Sequence, residues 1–311
     1  MNTNRKIAIV TPYGAEPRLD HFAEFILAKG LLAYGFDVRF FTYRQNNEPY
    51  RKNSIYQGVK IFRCRQRLGV APGLFFSVLR FHPHCVLYFH PKSLLSFTAY
   101  LAARTTGAIT VSEIVGILHD PFLVGDPDDP IATINKNAKL ITSWKKLFSP
   151  LGQIRLSKRW LELVVHMPIA KADAVIAINR AEQNYIRQFY CRESELIHWA
   201  IPQTEKQPQT KPVKELPESF LLFISQIKKR KGWDTVLEAL GILVNQGLKK
   251  NLVFVCPSTG VSLAKDYAEA LGVERQIFFL SSISNKEKNW LLAHAEAVLA
   301  PSRYEGFGLP V

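Results

Sequence analysis

Short apolar runs rich in β-branched and aromatic residues recur along the chain, separated by longer stretches with helical spacing. The runs at Lys6–Thr11, Asp37–Tyr43, Val59–Arg63, Cys85–Phe89, Ala108–Ser112 and Ala174–Ile178 read as strands. Helices are expected at Leu19–Tyr34, Pro91–Arg104 and Gln153–Ala170. Strands that are continuously apolar must be covered on both faces, and their regular alternation with helices predicts a doubly wound parallel sheet. Such sheets bind ligands beyond the carboxyl ends of their strands.

Between Gln203 and Pro217 the chain turns polar and carries Pro208, Pro212 and Pro217, the composition of a linker. The alternation then resumes. Strands are expected at Phe220–Ser225, Asn251–Cys256, Gln276–Leu280 and Ala297–Ala300, with helices at Trp233–Asn245, Val261–Leu271 and Asn285–His294. The reading is therefore α/β: two Rossmann-like doubly wound domains facing a cleft, residues 1–202 and 218–311, joined by 203–217. The last strand would lack a covering helix, so the second domain is expected to be incomplete and the chain truncated.

The composition of the 311 residues, 47% hydrophobic and 21% charged, is globular. The Cys64, Cys85, Cys191 and Cys256 thiols are far apart and read as reduced core residues of a cytoplasmic protein. The start runs directly into the short apolar segment Ile7–Val10, which is not a secretory signal. His90, Pro91 and Lys92 interrupt the longest apolar stretch, so a soluble protein is expected. The net charge of +14 fits nucleic acid, an anionic membrane surface or phosphorylated substrates, and by itself selects none of them. No recognition motif or ordered aromatic platform supports a nucleic-acid partner.

The segment Pro301-Ser-Arg-Tyr-Glu-Gly-Phe-Gly-Leu-Pro-Val311 carries the most chemistry. It places an acid, Glu305, and two glycines beyond a strand. Glycines there let backbone N–H groups approach an anionic ligand. Local chemistry alone fits a glycine turn with a solvated glutamate equally well. The segment resembles the first half of the Glu-x7-Glu motif of retaining GT-B glycosyltransferases, the family 4-like "glycosyl transferases group 1". The family's second glutamate would fall at position 313, beyond the chain's end.

The resemblance extends over the chain. Phe223-Ile-Ser-Gln-Ile-Lys-Lys-Arg-Lys-Gly232 is similar to the family's Phe-Val-Gly-Arg-Leu-x3-Lys-Gly, whose Arg and Lys hold the donor diphosphate. Lys231 is retained, whereas Ser225 and Gln226 replace the family's Gly and Arg. A diphosphate leaving without a metal needs positive charge, so Lys228, Lys229 and Arg230 are candidate substitutes. Val115-Gly-Ile-Leu-His-Asp120 resembles a strand-end His-Asp whose histidine contacts the donor sugar. Ile9-Val-Thr-Pro-Tyr-Gly14 resembles the first strand and loop, with Gly14-Ala15 in place of paired glycines.

The resemblance implies transfer of a sugar from a UDP-, GDP- or ADP-sugar to an acceptor hydroxyl with retention, in polysaccharide or glycolipid synthesis. It assigns His119 and Glu305 to catalysis. Gly14, Ser225, Gln226, Lys231, Gly306, Phe307, Gly308 and Leu309 are assigned to the donor. No metal and no cofactor is expected. Asp126-Pro-Asp128 matches an Asp-x-Asp metal motif, but an acidic surface loop is the favoured reading. Lys139–Trp160 interleaves cations with Trp144, Phe148 and Trp160. It reads either as peripheral contact with an anionic inner membrane surface, suiting a lipid-linked acceptor, or as a helix with a buried aromatic face. The competing functional reading is a truncated or split, inactive glycosyltransferase fragment.

Overall fold

The computed structural model describes residues 5–12, 19, 22–44, 52–65, 71–114, 156–199, 209–212 and 215–303, except the side chains of 156–160 and 162. The described residues up to Trp199 form one compact unit, and those from 209 onward form a second.

The first unit runs β1 (Lys6–Val10), α1 (Ala23–Ala33), β2 (Asp37–Tyr43), β3 (Asn53–Tyr56), β4 (Val59–Cys64), α2 (Pro72–Phe81), β5 (Cys85–Phe89) and α3 (Leu94–Thr106). It continues with β6 (Ile109–Ile114), α4 (Leu156–Ala170), β7 (Ala174–Ala177), α5 (Arg180–Tyr190) and β8 (Glu195–Leu196). The eight strands are ordered β3-β4-β2-β1-β5-β6-β7-β8. All pairings are parallel except β3 with β4.

Alternation along β1 shows why the sheet is covered on both faces. Ala8 and Val10 pack with Phe41, Val86 and Tyr88 against α2 and α3. Ile9 points the other way, joining Val38, Phe40 and Leu87 against Phe25 and Ala28 of α1. Each fully buried large apolar side chain contributes about 1.5–3 kcal/mol, so a polar residue in these rows is costly. Helix ends are set locally. Ser93 caps α3 by accepting from the Ser96 N–H at 3.1 Å. Gly107, at φ 69°, closes its other end in the left-handed conformation.

Besides α5 and β8, which the sequence expectation did not include, two first-unit elements differ from it. The β3–β4 hairpin turns through Gln57 (φ 44°) and Gly58 (φ 83°), a two-residue connection with both φ positive. Helix α2 has Pro72 in its first turn and buries Leu74, Val78 and Phe81. Its ten residues are too short for periodicity to separate a helix from an apolar strand. A third difference concerns the thiols. All four are free, but Cys191 is exposed rather than in the core, because it ends α5 as a left-handed cap residue.

The second unit comprises β9 (Leu221–Ile224), a 3₁₀ turn (Lys229–Lys231), α6 (Trp233–Asn245), β10 (Leu252–Val255) and α7 (Ser258–Ala270). β11 (Ile277–Leu280), α8 (Asn285–His294) and β12 (Ala297–Val298) follow. Its four strands are parallel, ordered β11-β10-β9-β12. Phe223 and Phe254 face Trp233, Val236 and Leu237 of α6 and Ala264 and Ala268 of α7. Leu222 and Val253 face Leu291 of α8. Ser284 and Glu287 form a capping box at the start of α8. No described helix is long and apolar enough to cross a membrane.

Candidate functional site

In the second unit the chain builds β10 and β11 on one side of β9, then crosses to place β12 on the other. The switch point lies between the carboxyl ends of β9 and β12, where an open α/β sheet receives a ligand. Ser225, Gln226 and Lys231 all belong to the connection from β9 to α6. The Ser225 N–H donates to the Val255 carbonyl at 3.0 Å, extending the ladder one residue beyond β9. Gln226 is exposed, and its carbonyl accepts from the Lys228 N–H at 2.9 Å. Lys231 is half-buried and ends the 3₁₀ turn, its N–H donating to the Lys228 carbonyl at 2.8 Å. Immediately beyond it α6 begins, whose first N–H groups and dipole favour an anion.

The two loops flanking the switch point are bound to each other. Gly232 is left-handed at φ 67°, and a Cβ there would run into the Pro301 carbonyl. Only glycine satisfies both conditions. The Arg303 N–H donates to the Arg230 carbonyl at 2.8 Å. The Arg303 guanidinium grips Asp234, with Nη1 at 2.7 Å from Oδ1 and Nη2 at 3.1 Å from Oδ2. Lys229 Nζ reaches the same carboxylate at 3.1 Å. Burial pushes the Asp234 carboxyl up, but hydrogen bonds from Arg303 and Lys229 outweigh it and hold the group below its ordinary value. Lys229 thus shares Asp234 with Arg303, its side chain remaining half exposed. A separate cavity of about 410 Å³ lies between α7 and the edge strand β11, away from this switch point.

The first unit has its own switch point, between β1 and β5, and there the structure assembles groups that sequence reasoning missed. Thr11 follows β1, and its hydroxyl donates to Glu24 Oε1 at 2.8 Å. Glu24 is buried on α1. Glu113 lies in register with Phe89 near the end of β6 and is also buried. The Trp199 indole N–H donates to Glu113 Oε1 at 2.6 Å. Burial, opposed by that hydrogen bond and reinforced by the Glu24 charge, pushes the Glu113 carboxyl up to about 7. Burial likewise raises Glu24 against its hydrogen bonds. His90, just past β5 with φ 53°, is driven down to about 4 by burial. The readable signal was Glu113 itself, a carboxylate inside the largely buried strand Ile109–Ile114.

His119, Glu305, Gly14, Gly306, Phe307, Gly308 and Leu309 lie outside the described residues, as do Asp126, Asp128 and residues 139–155. Among the described residues no three His, Cys, Asp or Glu side chains are grouped as a metal site.

This α/β fold of parallel sheets between helices is that of GT-B glycosyltransferase structures. Sucrose-phosphate synthase from Thermosynechococcus elongatus superposes with a TM-score of 0.62 at 17% identity, over 99% of this chain and 78% of that one. The catalytic domain of starch synthase IV from Arabidopsis thaliana, bound to ADP and acarbose, gives 0.56 at 11% identity, over 98% and 79%. Residues 204–311 match the model of the family described as Glycosyl transferases group 1. An uncharacterized glycosyltransferase, YqgM of Bacillus subtilis (strain 168), is 24% identical over 141 residues, covering 45% of this chain. The match spans only 39% of that relative's length.

Proposed function

We propose that the protein is a retaining glycosyltransferase that moves a sugar from a nucleotide-diphosphate sugar to an acceptor hydroxyl. The observation carrying this reading is the family match over 204–311, which takes in the β9–β12 switch point with its cation-rich connection and helix N-terminus. In this reading Lys231 neutralises the departing diphosphate, assisted by Ser225, Gln226 and the backbone N–H groups of Gly306–Gly308. Phe307 and Leu309 complete that loop, and Gly14 lines the donor from the first unit. His119 and Glu305 orient the donor sugar. The acceptor attacks on the face from which the phosphate leaves, and the phosphate takes the hydroxyl proton. No metal and no cofactor takes part. The acceptor is a sugar or lipid-linked sugar of polysaccharide or glycolipid synthesis, met by residues 1–202 at the inner face of the membrane, while 218–311 hold the donor.

Thermal unfolding with a panel of UDP-, GDP- and ADP-sugars tests this. A ligand that binds only the folded state stabilises it by about 2.7 kcal/mol at a hundredfold excess over Kd. One nucleotide class should raise the melting temperature, and Lys231→Ala should weaken that class by roughly tenfold or more, the loss of a charged hydrogen bond. Absence of any shift across the panel would refute the donor site.

A further inference from the structure

On the α2 side of the first sheet's edge, residues of three strands form a cationic groove of about 780 Å³. Register aligns Arg39 of β2 with Lys60 of β4 and Lys60 with Ile55 of β3, so these three stand in one row. Arg80 of α2 forms the facing wall, and Lys52 closes the end with its ammonium 5.4 Å from the Phe62 ring centre. Among the described residues none of the lining is acidic. Among the described residues the carboxylate of Asp37 reaches Lys60 at 3.8 Å with both groups partly exposed, a weak pairing. The Arg39 guanidinium lies 4.3 Å from the Phe81 ring centre, and its buried Nε has no hydrogen-bond acceptor among the described residues.

The rim is apolar. Ile55 is 70% exposed, and Phe76, one helical turn before Arg80, is 67% exposed. A soluble phosphate would engage the cations and leave both large side chains in water. A bilayer takes the two together: lipid phosphates among the cations, and Ile55 and Phe76 at the headgroup–acyl boundary.

We infer that this groove is a docking surface for an anionic lipid bilayer, with lipid headgroup phosphates seated among Arg39, Lys52, Lys60 and Arg80. The site is separate in sequence from Lys139–Trp160 and does not depend on the glycosyltransferase reading. It holds the chain at a membrane whatever its substrate.

Flotation of the full chain with phosphatidylcholine vesicles, with and without phosphatidylglycerol, tests the assignment. Binding is expected only with the anionic lipid. K52E/K60E/R80E should lower partitioning more than roughly tenfold, since each basic residue near the surface contributes on the order of fivefold. I55S/F76S should leave binding at low salt and abolish it at physiological salt. The control K171E/K249E/K286E changes net charge equally at exposed sites elsewhere and should bind as the parent does. Unchanged melting temperatures show that each variant folds. Equal loss in groove and control variants would overturn the proposal in favour of unspecific charge. Unaltered flotation of the groove variant, or no flotation of the parent, would overturn it outright. Groove-dependent binding of inorganic pyrophosphate without vesicle binding would assign the cations to a soluble ligand. Self-association lost in I55S/F76S would assign the rim to a second copy of the chain.

Discussion

Glu113 is a buried carboxyl group in register between Phe89 and Ile176, and its protonation is coupled to folding. Its folded-state value of about 7 lies above the ordinary 4.5, chiefly through burial. The folded state therefore keeps a proton that the unfolded chain gives up. The resulting stabilisation is complete below pH 4.5 and is lost as pH rises through 7. His90 runs the other way: lowered by burial from 6.5 to about 4, it favours the folded state increasingly as pH rises across that interval. Glu113→Gln retains an oxygen to accept from Trp199 and removes only the titration. Its stability should match the parent's at pH 4 and exceed it by about 1–3 kcal/mol at pH 8. Urea midpoints at the two pH values check this, and an equal difference at both would show that Glu113 titrates normally. Two buried carboxyls beside a switch point are the usual setting of perturbed functional groups. Their nearness was illegible in the sequence, because Glu24, Glu113 and Trp199 come from separate elements.

Among the elements, the connection after β9 and the loop after β12 behave as one piece. Asp234 lies in the first turn of α6, where the helix dipole favours its charge, and it is sealed from water by Arg303 and Lys229. Removing Arg303 leaves a buried carboxylate with one remaining cation. Arg303→Ala should cost about 2 kcal/mol of second-unit stability and weaken any nucleotide-sugar binding with it. Guanidinium unfolding and titration of the best donor read the two effects, and unchanged values in both would dissolve the clamp. Helices with strong end signals were legible: Trp233–Asn245 after Gly232 and Asn285–His294 after Ser284 are as expected. Strands Asp37–Tyr43 and Cys85–Phe89 were too, the first through its buried Val38, Phe40 and Phe41 and the second as a continuously apolar run. The clamp was not. Nothing local marks Arg303 as the partner of a residue 69 positions earlier, so the sequence did not show that Asp234 engages Lys229 and Arg303.

For the whole molecule, a net charge of +14 guarantees attraction to any polyanion at low ionic strength. Retention on heparin or DNA should fall steeply with salt and vanish at moderate salt, since binding by charge alone releases counterions. A salt-resistant, sequence-selective fraction in a gel-shift titration would instead point to a nucleic-acid partner. The vesicle binding inferred above should outlast that loss, because Ile55 and Phe76 add a contact that salt does not screen.

Apolar periodicity along the chain determined the class of architecture. Strands buried on both faces admit only a sheet with helices on either side, and backbone hydrogen bonding leaves few other ways to arrange them. The tertiary structure alone decided which side chains meet. Strand order brings the ends of β1, β5 and β6 together around Glu24 and Glu113, and the ends of β9 and β12 around Asp234. It also aligns Arg39, Lys60 and Ile55 in one row. Such contacts depend on register and crossover between segments far apart in the chain. Local spacing encodes the propensity of each segment, and it does not encode the partner that packing selects for it.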